Sequence, residues 1–307
     1  MLRFFIVFME NNFNVSYITL DGFIELHKYK YLYFLIMFTA YILIICCNST
    51  IVCLIVIHRN LHEPMYVFIA ALLVNSLLFS TALYPKILTD VLSEKQIISY
   101  SACLFQFHIF YSLGGSEFLL LTAMSYDRYV SICKPLQYAT IMRKSNISLM
   151  LLLAWILPSC QFAVSIVFTL KLIFCNNTIY KLFCVASREI SVYGVFILLN
   201  VVGFPVFFIV FTYIRILIIC YHSSGDVRKK AAQTCLPHLL VLTNYFCLFT
   251  FEVIAVRLEY EFPKTARLII SLQLVLYNPL FNPLIYGLKM KEISKHLNRL
   301  FCQDKGT

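Results

Sequence analysis

MSYDRYVSICKPLQY, residues 124–138, is the stretch whose reading decides what kind of molecule this is. It follows an apolar segment, residues 105–123, broken by one acid, Glu117, so Asp127 and Arg128 fall where a membrane helix would reach water. Adjacent opposite charges at that place have two readings. One is a solvated pair that marks a helix end, and exposed pairs of that kind contribute little. The other is a switch, with Arg128 held by Asp127 in one state and turned toward a partner protein in another. The dipeptide leaves both open.

Composition supports the membrane setting. The 307 residues are 61% hydrophobic, 16% aromatic and only 13% charged, and the mean hydropathy is +0.81. A water-soluble globule does not have this balance. Lipid offers no hydrogen bonds to the backbone, so a spanning segment must be a continuous apolar helix of roughly 20 residues. Seven runs qualify: 31–57, 65–85, 102–126, 147–170, 190–214, 231–251 and 268–288. Only the third carries a charge before its end. The fold class expected is an all-α membrane protein, a seven-transmembrane helix bundle. Residues 1–30 form an extracellular tail, 31–288 the bundle, and 289–307 a cytoplasmic helix and tail.

Charge orients the bundle. With the N-terminus outside, 14 of the 25 Lys and Arg residues fall on inner segments, a small excess. The compact cluster Arg228, Lys229, Lys230 beside a span is the stronger inward signal. The net charge of +10 then reads as an inner face that meets anionic lipid and a partner protein. Nothing in the pattern asks for nucleic acid.

Most of the twelve cysteines lie in apolar runs, where a small buried residue is the simplest reading. Cys103, Cys175 and Cys184 fall on the outer side, where disulfides persist. A bond from Cys103 to Cys184 would draw the longest outer loop, residues 171–189, over the mouth of the bundle and leave Cys175 without an evident partner. Asn14 and Asn176 stand in glycosylation sequons on outer segments. Residues 1–8 are apolar but lack a cleavage pattern, and they read as an extension.

Within the spans, Pro158, Pro205, Pro237, Pro279 and Pro283 each free a carbonyl and bend a helix. Asn278 and Asn282 precede the last two, and their amides are expected to bond the freed backbone. Beyond the seventh span, Ile293, Leu297, Leu300 and Phe301 share one helical face opposite Lys291, Lys295 and Arg299, a short interfacial helix. Cys302 is a candidate for palmitoylation. No Ser/His/Asp set, HExxH, phosphate loop or metal-ligand spacing is present, which argues against an enzyme, and neither a cofactor nor a metal is expected. Repeated halves with paired broken helices, the mark of many transporters, are not evident either.

Four stretches together resemble a known family. LHEPMYVFIAALL (61–73), MSYDRYVSICKPLQY (124–138), RKKAAQTCLPHL (228–239) and NPLFNPLIYGLKMKEI (278–293) resemble the odorant receptors, a branch of the rhodopsin-like G-protein-coupled receptors. Their style looks like that of the fish receptors. Asp-Arg-Tyr and Asn-Pro-x-x-Tyr alone imply the superfamily. LHEPMY together with KAAQTCLPH is specific to the branch, and the resemblance runs from Met9 nearly to the end.

The resemblance implies a plasma-membrane receptor that binds a small odorant and activates a stimulatory, olfactory-type heterotrimeric G protein. The alternative is a non-olfactory rhodopsin-like receptor for a peptide or another small ligand. Asp127, Arg128 and Tyr129 would form the coupling switch. Tyr213 and Tyr286 would bring hydroxyls together near Arg128 in the active state, with Asn282 and Pro283 in the same switch. His238 would be either a switch residue of span six or a buried histidine bonded within the bundle. The ligand site would be lined by Phe110, Tyr111, Gly114, Gly115, Ile197, Leu198, Val201 and Phe249, with Tyr245 and Phe246 at its floor. Arg257 would anchor a carboxylate, or pair with Glu252, Glu259 or Glu261. Many members pair an acid at Glu117 with an Asp on span two to hold sodium, but Ser76, preceded by Asn75, stands at that place. Weak sodium dependence, or a protonated Glu117 bonded to Asn282 or Ser76, is therefore expected.

Overall fold

The computed structural model describes residues 17–19, 29–93, 97–169, 175–178, 181–184, 188–257 and 264–302. Seven long helices form a bundle: α1 (Lys30–Ile57), α2 (Pro64–Leu92), α3 (Tyr100–Cys133), α4 (Lys144–Thr169), α5, α6 (Gly225–Arg257) and α7 (Lys264–Lys289). α5 consists of Arg188–Leu198, a π turn at Leu199–Gly203, and Phe204–Tyr221. A short helix, α8 (Lys291–Cys302), follows α7. Among the described residues, five helices are long and apolar enough to cross a membrane on these grounds alone. α3 and α7, which carry the polar groups described below, complete the seven.

Local chemistry sets where these helices start. Pro64 opens α2, where its missing N–H has no helical partner to lose. The Ser99 side chain caps α3 by accepting from the backbone N–H of Ala102 at 3.3 Å. Between α1 and α2 the chain makes only a 3-10 turn, Arg59–Leu61, so these two helices must lie antiparallel side by side.

Helices outrun the apolar runs where polar groups find partners. α3 continues to Cys133, and α2 passes Pro85 and ends at Leu92. The outer turns of α2 therefore carry charge as well: Lys86 pairs with Asp90 one turn on and donates to the carbonyl of Ile97 at 2.9 Å.

Two small antiparallel sheets cap the outer end. β1 (Tyr17–Thr19) pairs with β2 (Ile97–Ser99), with Ile18 opposite Ile98. β3 (Cys175–Thr178) pairs with β4 (Lys181–Cys184), and β4 packs on α3. This register sets Cys175 opposite Cys184, a neighbour that the sequence reading did not supply. Asn14, residues 1–8, Glu259 and Glu261 lie outside the described residues, as do the side chains of Cys175, Asn176, Cys184, Glu252, Arg257, Phe301 and Cys302.

The core runs down the middle of the bundle, where α2 and α3 meet. Phe68, Leu72, Leu83 and Tyr84 of α2 and Leu120, Leu121 and Met124 of α3 are fully buried. Leucines and phenylalanines on the far faces of α1, α4 and α5 are exposed, the pattern of a bundle whose outer surface meets lipid. α8 buries Ile293 and His296 against the bundle, whereas Leu300 is exposed, as a residue of an interfacial helix facing lipid can be.

Candidate functional site

The inner end of α3 is closed around one carboxylate. Asp127 is fully buried, and both its oxygens are used. Oδ2 accepts from Arg128 Nε at 2.9 Å and from the Nη2 of the same guanidinium. Oδ1 accepts from the hydroxyl of Tyr138 at 2.8 Å. A buried charge needs such partners, and charge-assisted bonds are the strong ones. Of the two readings of Asp127 and Arg128, the solvated pair does not describe this geometry. Tyr138 stands in the short one-turn helix after α3. Sequence reasoning quoted this tyrosine without giving it a role. Tyr129 is half-buried, its ring 6.5 Å from that of Tyr126, which in turn lies 6.2 Å from Phe208 of α5.

Nearly two turns higher on α3, a buried histidine ties three helices. His238 Nε2 lies 3.1 Å from the carbonyl of Leu121, which can only accept, so Nε2 carries the proton. Nδ1 is then the acceptor for the hydroxyl of Tyr213 on α5. His238 joins α6 to α3 and α5, as a histidine bonded within the bundle. Tyr286 is also fully buried, and its hydroxyl points to the sulfur of Met124 at 3.8 Å. Tyr213 and Tyr286 thus face different partners. Their expected meeting near Arg128 is not seen in this structure, in which the guanidinium is bonded to Asp127.

At mid-membrane Glu117, 4% exposed, collects amides. Asn278 Nδ2 donates to both carboxyl oxygens at 2.8 Å. Asn282 Nδ2 lies 3.0 Å from Glu117 Oε1 and 3.3 Å from Ser76 Oγ. The expectation that Asn278 and Asn282 bond the backbone freed by the prolines is not met. The carbonyl of Pro279 is taken instead by Asn48 of α1, at 2.9 Å. Asn75 also leaves the acid site: it donates to the carbonyl of Leu113 at 3.0 Å and accepts from Trp155 Nε1 at 3.2 Å. Asn48 and Asn278 are the residues that sequence reasoning left out of this network. Three buried amide oxygens of this network, on Asn48, Asn278 and Asn282, have no protein partner among the described residues. Acid, hydroxyl and amide oxygens in one place suit a proton or a small monovalent cation. Among the described residues no three His, Cys, Asp or Glu side chains gather as a metal site.

In the outer half, the expected ligand positions separate into groups. Phe110, Ile197, Val201 and Tyr245 are buried, and Tyr111 and Phe249 are half-buried. Tyr245 donates to the carbonyl of Gly114 at 2.7 Å, bridging α6 to α3. Its ring lies 4.7 Å from Phe118, against which Phe249 packs edge-on at 5.1 Å. Gly115 has a packing role: a Cβ there would come within 2.8 Å of Val201 and 2.9 Å of Pro158. It lets α3, α4 and α5 touch. Phe246 and Leu198, 42% and 45% exposed, lie beside the buried stripes of α6 and α5. Of the two residues expected at the floor, Tyr245 faces α3. Arg257 ends α6, and Cys103 is buried in the first turn of α3, on which β4 packs.

The family profile described as olfactory receptor matches residues 36–304. Human olfactory receptor 10K1 is 33% identical over 302 residues, covering 92% of this chain and 93% of its own. Human olfactory receptor 2AG1 is 34% identical over 273 residues, covering 85% of each. Among solved structures, squid rhodopsin superposes with a TM-score of 0.77 over 96% of this chain and 92% of its own, at 14% identity, a likeness of fold. The chain is a multi-pass membrane receptor and not an enzyme: it belongs to the olfactory receptor family of seven-helix, rhodopsin-like G-protein-coupled receptors.

Proposed function

We propose that the protein binds a small odorant in the outer half of the bundle and activates a stimulatory heterotrimeric G protein at the inner rim. The observation that carries this reading is the lock at the inner end. Arg128 is tied to Asp127, Asp127 is tied to Tyr138, and α6 is tied to α3 and α5 through His238. Each of these contacts is one that an opening α6 and a freed Arg128 would give up. A ligand that fits the open bundle better shifts the balance, and differential affinity of a few kcal/mol is enough. Between the outer site and the lock stand Tyr245, Phe118 and the Glu117 cluster, a continuous column through which α6 and α3 feel the ligand.

The test is cyclic AMP production in cells that express the receptor with a stimulatory olfactory-type G protein, against carboxylates, amino acids and neutral odorants. At least one class should raise cyclic AMP. A response that proceeds through a different G-protein class overturns the coupling assigned. Arg257 at the end of α6 favours acidic agonists, because a guanidinium matches a carboxylate with two parallel bonds. An acidic agonist that acts equally on Arg257→Ala removes that anchor.

A further inference from the structure

A second cluster of titratable groups lies on the inner side, away from the arginine lock. At the end of α1, His58 Nδ1 lies 3.0 Å from the carbonyl of Leu54. The ring of His58 packs against that of His296 of α8, with centroids 3.9 Å apart and planes tilted by 45°. Asn60, in the turn between α1 and α2, sets its side-chain nitrogen 3.2 Å from His296 Nε2. The carbonyl of Leu54 only accepts, so His58 Nδ1 carries a proton. The Asn60 amide nitrogen only donates, so His296 Nε2 is a bare acceptor. The contact therefore specifies a neutral His296. The rest of the seat is apolar: Ile293 is fully buried, and α8 approaches α7 closely at Gly287, where a Cβ would lie 3.2 Å from Leu297 and 3.6 Å from Ile51.

We infer that the His58–His296 contact makes the seating of α8 on the inner ends of α1 and α7 sensitive to cytosolic acid. A proton on His296 Nε2 consumes the lone pair that Asn60 uses and sets a cation against the neighbouring imidazole. The charged groups around His296 do not relieve this. His58 faces it from α1, and Lys295 and Arg299 flank it on α8 against the single acid Glu292. Burial, then His58, then Arg299 hold the His296 imidazole below its ordinary value, with Glu292 opposing. The cover is shallow, because His296 sits at the rim of the protein, although its neighbours leave it only 7% exposed.

The sign follows by linkage. An unseated α8 leaves His296 in water with an ordinary value near about 6.5. The contribution of the contact is therefore fully present above that value and is lost as pH falls below it, levelling off under the depressed value of the seated state. One such group changes the seating equilibrium by up to about tenfold between pH 7.5 and 5.5. The apolar contacts of Ile293 and Leu297 do not titrate, so α8 loosens and need not detach.

Hydrogen exchange of the peptide 291–302, in receptor reconstituted in lipid nanodiscs, reads this directly. Each variant is compared with wild type at the same pH, which cancels most of the chemical pH effect on exchange. Wild-type protection should fall by up to about tenfold from pH 7.5 to 5.5. His296→Phe keeps a flat ring but cannot take a proton, and it should lose that fall. His58→Phe keeps the stacked partner and should shrink the fall, because the neighbouring imidazole that opposes a charge on His296 is gone. A wild-type receptor with no fall overturns the inference, as does the same fall in His296→Phe. Should either variant fold poorly, the wild-type midpoint still decides: a midpoint in the histidine range supports the inference, and one in the carboxylate range overturns it. These readouts concern α8 alone, so they stand or fall separately from the coupling proposed above.

Discussion

Replacing Tyr138 with phenylalanine removes a single oxygen from the inner rim, and the structure says what that oxygen does. It donates to Asp127 Oδ1 at 2.8 Å, and Asp127 is fully buried, so no water takes its place at once. A hydrogen bond to a charged group contributes about 1.5–3 kcal/mol. The phenyl ring preserves the packing, so the loss falls on the locked state, in which Arg128 and Tyr138 share the carboxylate. At about 1.4 kcal/mol per factor of ten, the balance between locked and open receptor moves by roughly tenfold or more. Agonist-free cyclic AMP, normalised to receptor at the cell surface, should rise several-fold. The agonist concentration for half-maximal response should fall in the same proportion, because one equilibrium governs both. Unchanged basal signalling at equal surface expression would refute the reasoning and leave Tyr138 as an ornament of the loop.

Gly115→Val tests the packing role of that glycine: overpacking of this kind costs about 1–3 kcal/mol, so thermal stability and surface expression should fall together. A changed agonist potency with stability intact would return Gly115 to the ligand site. Glu117→Gln keeps the shape of the amide cluster and removes the acid. If Glu117 already carries a proton, agonist response should show the same sodium sensitivity in the variant as in wild type, and a large loss of sodium sensitivity contradicts that state.

The bundle was legible in the sequence because lipid imposes one rule on every span, and apolar length is enough to apply it. Helix ends were less legible. α2 passes Pro85 because Lys86 pairs with Asp90 and with the carbonyl of Ile97, a contact between distant segments that no local pattern announces. The pairing of Tyr17–Thr19 with Ile97–Ser99 escaped for the same reason. At the site, Asp127, Arg128 and His238 were readable from contiguous motifs. Asn278 was misassigned because its nearest backbone is close in sequence, whereas the acid it bonds is 161 positions away. On α5 the resemblance supplied positions without a facing: Ile197 and Val201 are buried, whereas Leu198, beside Ile197 on the helix, is 45% exposed. The close approach of Val201 and Pro158 to Gly115 was not legible either, because a sequence shows the missing side chain but not the helices beside it.

The most direct measurement is guanine-nucleotide exchange on a purified stimulatory G protein, driven by nanodisc receptor with an agonist found in the cell assay, for wild type and Arg128→Ala side by side. Agonist should accelerate exchange with wild type, and the variant should bind the same agonist yet leave exchange at the rate of the G protein alone. Equal acceleration by the variant would show that the cation on α3 is not what the inner rim delivers to its partner.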